Sequence, residues 1–127
     1  MSDNTRILAV SELGMHDEIA AEIVAADSGK SFVTETSWLK AIDRIRDEAF
    51  DAVMVDSVFQ SGNDVGDNYE PTRLIIDAAK QEGISRILVA TPLVPLQDRF
   101  PSDVPVIDIL STDTRDLTDR ILKALNL

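Results

Sequence analysis

At 127 residues the chain is one domain's worth, long enough to bury a core without disulfide or metal staples. It has no cysteine, which excludes a disulfide framework, a thiolate metal site and a thiol nucleophile, and fits a reducing compartment. A formal net charge of -11 repels nucleic acid and anionic lipid but tolerates cations and basic proteins; the same acidity also serves plain solubility.

The head of the chain, Met1-Ser2-Asp3-Asn4-Thr5-Arg6, lacks the basic stretch and apolar run of a signal peptide. No apolar run approaches the roughly 20 residues that span a bilayer, so a cytoplasmic, membrane-free location is expected. Thr5-Arg6-Ile7-Leu8-Ala9-Val10 predicts a first strand. Ile19, Ala20, Ile23 and Val24 recur at helical spacing and predict a helix over 16–26, with Gly29 as its stop. Ser31-Phe32-Val33-Thr34-Glu35-Thr36 predicts a second strand. Ser37 then caps a helix whose core face is expected to be Leu39, Ile42 and Ile45, with Trp38 read as packing rather than as a partner contact.

Asp51-Ala52-Val53-Met54-Val55-Asp56 is apolar on successive residues, as a strand buried on both faces should be. The polar stretch 57–70 reads as a long loop over the end of that strand. Pro71 suits the first turn of a helix with Leu74, Ile75 and Ala78 inward, closed by Gly83. Arg86-Ile87-Leu88-Val89-Ala90-Thr91 predicts a fourth strand. Pro92, Pro95 and Pro101 then disfavour a regular helix. A fifth strand is expected over 104–110, at a sheet edge because of Pro105. Ser111 or Thr112 would cap a last helix that packs through Leu117, Ile121, Leu122 and Leu125. Alternating strands and helices predict an α/β fold: a flavodoxin-like, doubly wound, five-stranded parallel sheet with helices on both faces and a shortened or irregular fourth helix. Residues 1–127 read as a single domain.

In such sheets, sites gather where the strands end at their carboxyl side. Glu12 and Asp56 would end the two central neighbouring strands, where two carboxylates can share Mg2+ through oxygen. Asp56 could then act as a nucleophile toward a phosphoryl group, with the Thr91 hydroxyl bonding a phosphoryl oxygen. Each has a plainer reading: Asp56 as a polar strand end, Glu12 as an acid favoured at a helix start, Thr91 as a β-branched strand residue. His16 reads as a helix-start residue, and Asn63, Asp64, Asp67, Asn68 and Glu70 do not follow EF-hand spacing. There is no dinucleotide fingerprint, nucleophile elbow or zinc set.

These strand ends resemble the response-regulator receiver family. Phe50-Asp51-Ala52-Val53-Met54-Val55-Asp56 looks like the strand ending in that family's phospho-acceptor aspartate. Ile7-Leu8-Ala9-Val10-Ser11-Glu12 resembles the strand ending in its acidic pair, and Ile87-Leu88-Val89-Ala90-Thr91 the strand ending in its hydroxyl residue. The resemblance implies phosphorylation of Asp56 with Mg2+ held by Glu12 and Asp56. It also implies a histidine kinase or phosphotransfer protein as donor, a downstream effector protein as partner, and room for a homodimer. The chain departs from the pattern at Ser11, which replaces the first acid, and at Leu110 and Ser111, which stand where the family has Lys-Pro. Ile107 takes the place of its aromatic switch residue. With these departures the resemblance implies an atypical or degenerate member. They leave open a pseudo-receiver that binds proteins without phosphorylation and, in a different class, a small-ligand or flavin-binding domain. No dedicated enzyme is expected, beyond self-catalysed aspartyl phosphorylation and dephosphorylation.

Overall fold

A computed structural model of the chain describes residues 5–12, 16–26, 29–57, 59, 69–91, 100–108 and 114–125. The elements run β1 (Thr5–Val10), α1 (His16–Ala26), β2 (Lys30–Glu35), α2 (Trp38–Asp47), β3 (Ala52–Asp56), α3 (Glu70–Gln81), β4 (Arg86–Thr91), β5 (Val106–Asp108) and α4 (Thr114–Ala124). The strands form one sheet in the order β2-β1-β3-β4-β5, and every pairing is parallel. This is the flavodoxin-like order, with its switch point between β1 and β3.

Burial follows from that order. Ile7 to Val10 of β1 and all of β3 are buried, because central strands meet helices on both faces. β2 lies at one edge and alternates between exposed and half-buried positions. β5 lies at the other edge, as expected from Pro105, and the Pro105 carbonyl accepts from the Val89 N–H of β4 at 2.9 Å. Strand alternation splits the core in two. Leu8, Val10, Val53, Val55 and Val89 pack under α2 and α3. Ile7, Ala9, Met54, Leu88 and Ala90 pack under α1 and α4.

Local signals set most boundaries. The Ser37 side chain accepts the Lys40 N–H and caps α2, a bond worth about 1 kcal/mol. Pro71 occupies the first turn of α3. At its other end Gly83 adopts φ 80°, which lets the Gly83 N–H reach the Lys80 carbonyl and the Ile84 N–H reach Ala79. Two expected core faces need correction. In α2 the buried residues are Trp38, Ala41 and Ile45, with Ile42 at the margin and Leu39 59% exposed. The large Trp38 turns the helix about one residue from the expected stripe. In α3, Ile76 and Ala79 join Ile75 and Ala78 inside, and Leu74 is only half-buried. β2 begins one residue earlier than expected, and the described β5 covers only three residues of the expected strand. Residues 92–99 and 109–113, where the irregular fourth helix and the last cap were expected, lie outside the described residues.

Glu35, at the end of β2, ties that edge to α2. Burial pushes its carboxyl up, but the Ser37 N–H, the Arg44 guanidinium and the Thr36 N–H outweigh burial and hold it below its ordinary value. The bonds therefore stabilise the fold above the ordinary glutamate range, and that stability is lost as pH falls through the lower folded value. Urea midpoints measured from neutral pH downward should show a shallower acid decline for Glu35→Gln than for the native chain. Equal declines would mean that Glu35 has no part in the acid transition.

Candidate functional site

The parallel register sets Val10 beside Val55, so the next residues, Ser11 and Asp56, meet at the carboxyl end of β1 and β3. By alternation both share a face with Ala9 and Met54, toward α1 and α4. Ser11 is 2% and Asp56 5% exposed, and the Ser11 hydroxyl donates to Asp56 Oδ2 at 3.4 Å. The Ser57 N–H donates to Asp56 Oδ1 at 2.7 Å. A buried carboxylate is expensive unless hydrogen-bonded, and these two donors meet part of that need.

Glu12 lies one residue further along, half-buried in the turn after Ser11. Thr91 closes β4, where the register pairs Asp56 with Ala90 and Thr91 with Asp108. Thr91 therefore sits one position beyond the neighbour of Asp56; its side chain is outside what the structure describes. Leu110, Ser111 and the cluster Asn63, Asp64, Asp67 and Asn68 also lie outside the described residues. Glu70 of that cluster begins α3 and pairs with Arg73 at 2.7 Å. Ile107 is buried in the α1 and α4 core.

Two residues were not foreseen. Thr72, fully buried in the first turn of α3, donates its hydroxyl to the Asp56 carbonyl at 2.6 Å. Phe59, three residues past Asp56, is fully buried in the core under α2 and α3. Nearby, Tyr69 meets Phe100 edge-on with centroids 6.2 Å apart.

Among the described residues no three His, Cys, Asp or Glu side chains gather where a metal could sit. Mg2+ asks for less: one or two carboxylates, with waters completing the octahedron. An all-oxygen set of Glu12, Asp56 and the Ser11 hydroxyl fits it, with one negative charge fewer than an acidic pair at 11 and 12 would give.

No protein-family model matches the sequence, and no curated protein matches it. Solved structures do. A response regulator from Thermotoga maritima is 18% identical over 98% of this chain and 99% of its own, with a TM-score of 0.72. A CheY-like receiver domain protein from Methanospirillum hungatei is 18% identical over 96% of this chain and 94% of its own, at 0.67. The receiver domain of a sensor histidine kinase from Pseudomonas aeruginosa, with a magnesium ion coordinated in its active-site cleft, is 14% identical over 98% and 99%, at 0.67. The chain has the receiver-domain fold.

Proposed function

We propose that this chain is a signal-transduction receiver module whose phosphoryl acceptor is Asp56. One observation carries the reading: Asp56 is a buried carboxylate at the carboxyl end of β3, beside the β1/β3 switch point, oriented by the Ser57 N–H. A structural cap on the following loop needs neither that depth nor that place. The fold shared with solved response regulators supports the same reading and favours it over a flavin-binding domain.

The chemistry is a single displacement. An Asp56 carboxylate oxygen forms a bond to phosphorus as the P–N bond of a donor phosphohistidine breaks. The bonding pair stays on the imidazole nitrogen, which takes a proton from water. The Ser57 N–H holds the carboxylate during approach, and the Ser11 hydroxyl remains as a neutral donor beside it. Glu12 and Asp56 are the residues that would hold Mg2+, which, when bound, offsets negative charge between carboxylate and phosphoryl oxygens. The Thr91 hydroxyl would donate to a phosphoryl oxygen. The donor would be a histidine kinase or phosphotransfer protein, and the output altered contact with an effector protein, which suits a module rather than a metabolic enzyme. Among the described residues no helix is long and apolar enough to cross a membrane.

Amide NMR with Mg2+ and beryllofluoride, a phosphoryl mimic, tests this. Shifts centred on residues 56, 57 and 90 are expected, and Asp56→Asn should abolish them. An unchanged spectrum would favour the pseudo-receiver.

A further inference from the structure

Asp56 is coupled to α3 through one peptide group. The Asp56 carbonyl accepts from Thr72 Oγ1 at 2.6 Å, and the N–H of that same peptide, on Ser57, donates back to Asp56 Oδ1 at 2.7 Å. A peptide unit is planar and trans, so its C=O and N–H point in fixed, opposite directions. Holding the carbonyl therefore aims the N–H, and the N–H in turn holds the carboxylate. Thr72 and Ser57 are both fully buried, so water does not compete for these bonds. A hydrogen bond to the carbonyl also polarises the peptide and strengthens its N–H as a donor.

From this relay we infer that Thr72 is a positioning residue for the Asp56 carboxylate, acting across the Asp56–Ser57 peptide from the first turn of α3. Its value for phosphoryl transfer rests on the reading of Asp56 as acceptor. The geometric claim stands apart from that reading. A buried threonine that only packs its methyl group would leave the Ser57 N–H unaffected, and that difference is measurable.

The test compares the native chain with Thr72→Val, which keeps the shape and removes the hydroxyl, and Thr72→Ser, which keeps the hydroxyl. The first readout is the Ser57 amide proton resonance, which reports its bond to the carboxylate whether or not the protein is ever phosphorylated. It should move upfield in Thr72→Val and stay near its native position in Thr72→Ser. The second readout is the rate of adduct formation with acetyl phosphate and Mg2+, expected to fall about tenfold in Thr72→Val and to recover in Thr72→Ser. An unmoved Ser57 resonance in folded Thr72→Val overturns the inference. If Thr72→Val does not fold, Thr72→Ser decides: a native Ser57 resonance supports the hydroxyl, and a displaced one overturns it. If no variant, nor the native chain, takes a phosphoryl group, the acceptor reading fails while the amide readout still judges the relay.

Discussion

Ser11→Asp is expected to make the protein less stable without Mg2+ and markedly more responsive to it. The Ser11 hydroxyl lies 3.4 Å from Asp56 Oδ2. A carboxylate in its place sets two negative charges side by side in a buried position. At about 4 Å such charges repel by roughly 4 kcal/mol for an effective dielectric of 20. Protonation and small shifts relieve part of this, so the metal-free melting temperature should fall by about 5 °C. Mg2+ should reverse the sign, because on the proposed reading an added carboxylate raises ligand charge where Glu12 and Asp56 would supply two. Its affinity should rise about tenfold. Melting curves across a Mg2+ titration check both halves. If Ser11→Asp melts at the native temperature and ignores Mg2+, these strand ends do not form a cation site.

Phe59→Ala is expected to be the most destabilising substitution near the site. Phe59 is fully buried against the core under α2 and α3, although it lies in a polar stretch of sequence. Removing a buried ring leaves a cavity and typically costs about 3–5 kcal/mol. For a domain of this size that is about 10–20 °C in melting temperature. The loss should also blunt the response to beryllofluoride, because Phe59 anchors the chain three residues beyond Asp56, the proposed acceptor. A fall of a few degrees would mean that the stretch after Asp56 is held by something else.

The contrast between Asp56 and Phe59 shows what the sequence made legible. β1, α1 and β4 were read to the residue because each apolar run is bracketed by turn signals, and Gly83 and Pro71 marked helix ends for steric reasons. Strand order alone brings the ends of β1 and β3 together, but the residue expected beside Asp56 was Glu12, whereas the register sets Ser11 against it. The face of α2 was misread because the stripes 39-42-45 and 38-41-45 differ by a small rotation, and only packing against the sheet chooses Trp38 over Leu39. Phe59 and Thr72 were missed for another reason. Both flank the long segment after β3, and periodicity does not say where such a segment touches down or which residue of the next helix returns to the strand. Two signals were available: an aromatic, Phe59, early in a polar stretch, and a threonine beside Pro71 in the first turn of the next helix.

The measurement that tests the central claim most directly is intact mass after incubation with acetyl phosphate and Mg2+, native chain against Asp56→Asn. The account predicts a single phosphoryl adduct on the native chain and none on the variant. An adduct that persists in Asp56→Asn, or no adduct on a folded native chain, would contradict Asp56 as the acceptor.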